Sequence, residues 1–217
     1  MKTGILFSGG KDSCLALHKY KKDKVNCLLS IIPEHEDSFM FHSPNTNLLK
    51  KQAEMLNLPL ILQKTKGEKE KELEDLKKLI EKSGVDEIVI GGIKSSYQAS
   101  RIQKICLELG VKVHAPLWNH SAERLWRELL KNNFKVIITK IASEGIPPSF
   151  LGKIIDREKL EKLRKLSEKY KFRLDFEGGD AETSVLFMPE FKKEIKIEFD
   201  VKSEGGFRHF LRLNKIL

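Results

Sequence analysis

The chain is poor in cysteine, and its three cysteines, Cys14, Cys27 and Cys106, are widely spaced and odd in number. That arrangement supplies neither a disulfide framework nor a Cys-x-x-Cys metal or redox pair, and it fits a reducing, cytoplasmic setting. Long apolar runs are missing as well. Met1 is followed almost at once by a short strand pattern and a glycine-rich turn, so neither a signal peptide nor a membrane span is expected. Internal repeats and low-complexity segments are absent. Neither sign of charge is scarce: forty basic against thirty-one acidic residues leave a formal charge of +9 over 217 residues. A basic excess favours polyanionic partners, but the signs are interleaved, as in Lys66-Gly67-Glu68-Lys69-Glu70-Lys71-Glu72. No dedicated nucleic-acid face is expected from such a pattern.

Short β-branched or leucine-rich runs at Gly4–Phe7, Val25–Ile32, Leu58–Gln63, Glu87–Ile90 and Val111–Ala115 alternate with segments of helical period. That is the rhythm of an α/β parallel sheet with crossover helices. Ile102, Ile105, Cys106 and Leu109 recur at one-face intervals, as do Ala122, Leu125, Trp126, Leu129 and Leu130. Over Glu68–Lys82 a leucine stripe runs among charges and stops at Ser83-Gly84, so the charge run reads as a solvated helix face. The sheet rhythm ends at Pro116-Leu117-Trp118, which places a domain boundary there: 1–118 and 119–217. The second unit is expected to be smaller and mixed. It has a helix, a strand at Val136–Ala142, a helix at Arg157–Lys171, and antiparallel strands at Ser184–Met188, Glu194–Asp200 and Phe207–Leu213.

The most informative segment is Ser8-Gly9-Gly10-Lys11-Asp12-Ser13, directly between the first strand and a helix expected to begin near Ser13. Backbone amides and a helix N-terminus converge there, which makes an anion site. The glycines let the backbone approach phosphate oxygens, Lys11 neutralises them, and the Ser8 and Ser13 hydroxyls can donate. Asp12 suits an anion site only if it caps the helix or holds a magnesium ion shared with the phosphates. The Walker spacing between glycines and its Gly-Lys-Ser/Thr ending are absent, so chemistry at a γ-phosphate is not implied.

The loop resembles the SGGxDS signature of the PP-loop ATP pyrophosphatases. Pro33-Glu34-His35-Glu36-Asp37-Ser38-Phe39-Met40-Phe41-His42-Ser43-Pro44-Asn45 is similar to the PExxDSxMFHxPN segment of diphthine-ammonia ligases. Gly91-Gly92-Ile93 with Ser96-Tyr97-Gln98 and Arg101 resembles further blocks of that family. So do Pro116-Leu117-Trp118, Leu151-Gly152 and Glu177-Gly178-Gly179-Asp180-Ala181-Glu182-Thr183. The family usually reads GEGGE, an aromatic, then ET. Here Phe176 stands for the leading glycine, Asp180 for the second glutamate and Ala181 for the aromatic.

The resemblance implies a doubly wound sheet of the adenine nucleotide alpha hydrolase-like kind. It also implies amidation of diphthine on translation elongation factor 2 from ATP and ammonium, through an acyl-adenylate, giving diphthamide, AMP and pyrophosphate. Ser8 to Ser13 would hold ATP, with Asp12 on Mg2+ and Lys11 and Asp12 catalytic. Glu177 and Glu182, around Gly178-Gly179, are candidates for binding an ammonium group or deprotonating ammonia. Gly178, Gly179, Thr183, Tyr97, Gln98, His42 and Asn45 are assigned to the substrate. Arg101 follows the turn at the carboxyl end of the fourth strand and either holds a phosphate or carboxylate or faces solvent on a helix. Two other readings stay open: a PP-loop enzyme adenylating a transfer-RNA base, and a regulatory module that holds adenine nucleotide without turnover. A homodimer is compatible with all three.

Overall fold

A computed structural model describes residues 1–33, 46–66, 71–92 and 96–217. The chain splits into two compact units, Met1–Asn119 and His120–Leu217.

In the first unit, β1 (Thr3–Leu6), β2 (Cys27–Pro33), β3 (Leu60–Thr65), β4 (Glu87–Val89) and β5 (Lys112–His114) form one sheet in the order β3-β2-β1-β4-β5. Every neighbouring pair is parallel. Parallel strands need crossovers, supplied here by α1 (Lys11–Tyr20), α2 (Thr46–Leu56), α3 (Lys71–Ser83) and α4 (Ser96–Glu108). The expected doubly wound α/β architecture is therefore present. Its central strands read as continuous apolar runs because both faces are covered: Ile5, Leu28, Leu29, Ile88 and Val89 have no exposed surface. On one face, Leu76, Leu79 and Ile80 of α3 and Ile102, Ile105 and Cys106 of α4 pack over Leu29, Ile31, Ile88 and Ile90. The opposite side of α3 carries Lys71, Glu74, Lys78, Glu81 and Lys82 in solvent, as the charge run implies. Cys14, Cys27 and Cys106 are buried thiols. Burial pushes the Cys106 thiol up to about 11, which keeps it protonated and inert.

The strand order reverses between β1 and β4, and the carboxyl ends of those two strands frame the crevice where open parallel sheets take their ligands. Toward the other end of α1, buried Glu87 ties elements together by accepting hydrogen bonds from Thr3 Oγ1 at 3.1 Å, from the Tyr20 hydroxyl and from His114 Nε2. Burial pushes its carboxyl up, but the bonds from Tyr20, His114 and Thr3 outweigh this and hold it below its ordinary 4.5. A carboxyl lowered on folding adds stability that is complete above its unfolded pKa and is lost as pH falls through the folded one. The stability gap between the wild type and Glu87→Gln, measured by urea denaturation, is therefore expected to narrow as pH drops below about 4.5. A gap that stays constant with pH would show that Glu87 makes no such charge-dependent contribution.

The second unit contains α5 (Ala122–Lys131), β6 (Lys135–Ile141), α6 (Arg157–Tyr170), β7 (Ala181–Phe187), β8 (Ile197–Gly205) and β9 (Arg208–Ile216). Its strands pair antiparallel in the order β7-β6-β9-β8. Both helices start on side-chain caps: Ser121 accepts from Arg124 N, and Asp156 from Lys159 N. The core is built on Trp126, whose ring is fully buried and whose Nε1 donates to Leu174 O at 2.9 Å. Leu151-Gly152 is a packing feature of this unit. Leu151 is buried, Gly152 has φ 69°, and a β-carbon there would lie 2.2 Å from Phe199 Cζ on β8.

Several boundaries differ from expectation. β7 begins at Ala181, three residues before the expected Ser184, because Ala181, Glu182 and Thr183 pair with Ile141, Lys140 and Ile138 of β6. β8 runs to Gly205, beyond the expected Asp200, because the long β8–β9 pairing continues almost to its turn. Among the described residues no helix is long and apolar enough to cross a membrane.

Candidate functional site

At the carboxyl end of β1 the chain runs through Phe7 to Gly10 straight into α1. The helix starts at Lys11, two residues earlier than the sequence suggests. Gly10 is the N-cap, with φ −79° and ψ 170° and no side-chain cap bond. Asp12 therefore sits in the first turn and is not the cap, which corrects one of its two expected roles. Cys14 N is the amide that closes on Gly10 O, at 3.1 Å. α1 thus begins directly at this loop, and a helix N-terminus is the geometry that receives an anion.

Several contacts brace this loop. The Ser8 and Ser13 hydroxyls are 3.2 Å apart, Ser13 Oγ donates to Gly10 O at 3.2 Å, and Gly10 N donates to Ser8 Oγ at 3.3 Å. Lys11 is only 3% exposed, with its ammonium 2.8 Å from Asp12 Oδ2. Gln52 Nε2 donates to Gly9 O at 2.9 Å from a position 1% exposed on α2. Sequence reading missed Gln52. The available signal was a polar residue on the buried face of α2 among Leu48, Leu49, Ala53 and Met55. The turn after β4 closes the other side of the crevice. A β-carbon at Gly91 would fall 2.7 Å from Ser13 N, so only glycine lets that turn lie against the start of α1.

Arg101 lies on α4, partly buried. Tyr97 and Gln98 fall on the first turns of the same helix. His42 and Asn45 lie outside the described residues.

The second group of candidates belongs to the other unit and rests on a different device. Arg173 forks onto Asp175 through Nε and one terminal nitrogen at 2.9 and 2.8 Å. Asp175, 4% exposed, also accepts Glu177 N at 3.0 Å, and the same guanidinium lies 3.4 Å from Glu177 Oε2. The Asp175 hydrogen bonds raise the Arg173 pKa, so the cation is permanent. Asp180 accepts Arg173 N at 3.0 Å, which gives the shorter acid at that departure a structural task. Between them Phe176 adopts φ 60°, the left-handed region that favours glycine. Its ring is buried edge-on to Trp126 at 6.1 Å and stacked on Phe172 at 6.4 Å.

A glycine, the residue usual at that position in the resembled family's motif, would meet without strain the backbone demand that Phe176 meets here with ring burial. Phe176→Ala is accordingly expected to lose about 3 kcal/mol of stability, whereas Phe176→Gly loses about 1 kcal/mol less than alanine does. Urea denaturation of the two variants checks the order. Alanine more stable than glycine would mean that the left-handed backbone carries no strain.

Glu182 and Thr183 are strand residues, not loop residues. Glu182 lies 3.9 Å from Lys140 Nζ across the β6–β7 pair, and Gly178-Gly179 form the turn before it. Thus Glu177 and Glu182 each face a cation, Arg173 and Lys140. Among the described residues no group of three or more His, Cys, Asp and Glu side chains converges as a metal site.

Comparison with known proteins covers both units. The family profile described as the diphthamide synthase N-terminal domain matches residues 1–113, and that of the diphthamide synthase C-terminal domain matches residues 121–216. The chain is 31% identical to the diphthine–ammonia ligase of Mus musculus, over 91% of this chain and 83% of that protein. The same identity and coverage hold for the protein of that name from Homo sapiens. For the one from Danio rerio the identity is 31%, over 100% of this chain and 96% of the relative.

Proposed function

Because the chain belongs to the diphthamide synthase family, matched over both of its domains, we propose that it is a diphthine–ammonia ligase acting on translation elongation factor 2. It consumes ATP and ammonium and releases AMP and pyrophosphate. The observation that carries the nucleotide part is the loop at the β1–β4 switch point, which leads straight into the N-terminus of α1, with a nearly inaccessible Lys11 and Gln52 bracing from behind. The unit Met1–Asn119 is read as the nucleotide-binding domain and the unit His120–Leu217 as the substrate-binding domain.

A carboxylate resists attack by ammonia because its carbonyl is electron-rich and oxide is a poor leaving group. In the proposed route a diphthine carboxylate oxygen attacks the α-phosphorus, the bond to the β-phosphate oxygen breaks, and pyrophosphate leaves. Lys11 and the α1 amides stabilise charge on the departing group. Ammonia then attacks the acyl carbon, AMP leaves with the carboxylate oxygen, and the proton lost from nitrogen passes to a base. Glu177, fixed by Asp175 and Arg173, and Glu182 on β7 are the carboxylates assigned to hold the incoming ammonium and take that proton.

Asp12 is the residue that would hold a magnesium ion shared with the phosphates; among the described residues no group of three acidic, histidine or cysteine side chains converges there. Magnesium held there would supply charge neutralisation at the phosphates. Tyr97, Gln98, Arg101, His42, Asn45, Gly178, Gly179 and Thr183 remain assigned to substrate binding in this reading, and a cytoplasmic site of action follows from its protein substrate.

The test is AMP release from magnesium-ATP and ammonium with purified chain, in the presence of either diphthine-bearing elongation factor or transfer RNA. Release that depends on the elongation factor is expected. Release with transfer RNA alone would transfer the assignment to base modification.

A further inference from the structure

The first unit holds a second pocket, at the end of α1 remote from the phosphate loop. The helix is ten residues long, so the two ends are about 15 Å apart. The pocket measures about 340 Å³, and its wall includes Lys19, Lys21 and Lys24 together with Tyr20, His114 and Pro116. Lys21 leaves α1 with φ 77° and ψ 115° and turns the chain into the short 3-10 segment Lys22–Lys24, which brings Lys19, Lys21 and Lys24 into the wall of one cavity.

Among the described residues no carboxylate lines it. Asp23 belongs to the same 3-10 segment but is not in the wall. Glu87, 2% exposed, is buried behind it and engaged by Thr3, Tyr20 and His114. That engagement orients the pocket's two rings, 5.5 Å apart and tilted by 54°. It also occupies His114 Nε2, while the imidazole stays 48% exposed and presents its ring to the cavity.

We propose that this pocket is a second anion site, for a small phosphate-bearing ligand, separate from the nucleotide loop. Three lysines around one cavity suit an oxyanion of charge two or more, and the tilted rings and Pro116 offer a flat apolar wall to whatever carries the phosphate. Inorganic phosphate or pyrophosphate and a nucleoside monophosphate share the chemistry that the lysines recognise. They differ in whether the rings contribute.

The test is amide NMR of the full isotope-labelled chain titrated separately with inorganic phosphate, pyrophosphate and AMP. The amides of Lys21, Lys24 and His114 are expected to shift saturably with at least one probe below about 10 mM. Lys21→Glu and Lys24→Glu, both at exposed positions, are expected to weaken that binding at least about tenfold. Lys11→Ala leaves the pocket's midpoint unchanged and removes only the shifts at Gly9 and Gly10, so failure at the nucleotide loop is distinguishable from failure here. Tighter binding of AMP than of the inorganic ions assigns a nucleotide occupant, and the reverse order an inorganic one. No saturable shift with any probe, or a midpoint that neither lysine reversal moves, overturns the proposal.

Discussion

Lys11→Ala is expected to lower ATP-dependent AMP formation by about a hundred- to a thousand-fold while leaving the fold intact. Its ammonium is almost inaccessible to solvent and sits on the first turn of α1, at the helix N-terminus proposed to take the phosphates. Charge stabilisation from such a position is large because little water competes with it. The substitution also removes the ammonium 2.8 Å from Asp12, leaving a carboxylate to face the phosphates. Binding and turnover are therefore expected to fall together. Nucleotide affinity by calorimetry and steady-state AMP release check this, with circular dichroism as the control. Activity within a few-fold of wild type would mean that the loop does not carry charge developing on the leaving group.

Glu177→Gln is expected to separate the two halves of the reaction. Amidation falls about a hundred-fold, the usual cost of losing a positioned proton acceptor, while ATP affinity stays at the wild-type value. Glutamine preserves the side-chain length and the contact with Arg173, and the backbone amide keeps its bond to Asp175, so the turn is retained. The same substitution at Glu182 serves as the comparison. That carboxylate stands on β7 opposite Lys140, and a larger loss there would exchange the roles of the two acids. An unchanged amidation rate in both variants would remove them from the reaction.

Much of the first unit is legible in the residues. Strands covered on both faces are mostly apolar, so the runs within Cys27–Pro33 and Glu87–Val89 announce themselves despite Ser30 and Glu87, and a one-sided stripe such as that of α3 marks a helix with one solvated face. The strand-to-helix turn at Ser8 to Ser13 is equally legible, because its glycines mark where the chain leaves β1 and enters α1. What escapes is the support given by particular side chains. A polar residue on the buried face of α2 marks Gln52 as unusual, but only the tertiary fold shows that it braces Gly9, while Asp175 holds Arg173 and Glu177 from two residues away through an irregular turn that no periodicity announces. Phe176 is the reverse case. Its departure from the family's glycine is visible in the sequence, but only the left-handed backbone and the contacts with Trp126 and Phe172 give it a physical reason. The position of Glu182 is misjudged because a glycine pair suggests a longer loop, while pairing with β6 draws the strand back to Ala181.

Oxygen tracing tests the adenylation at the centre of this account most directly. Diphthine whose carboxylate carries heavy oxygen is incubated with the enzyme, ATP and ammonium, and the products are analysed by mass spectrometry. An acyl-adenylate route predicts one heavy oxygen in AMP and none in the pyrophosphate. Heavy oxygen in inorganic phosphate, with ADP as the nucleotide product, would show that the γ-phosphate is the group transferred and would contradict the account.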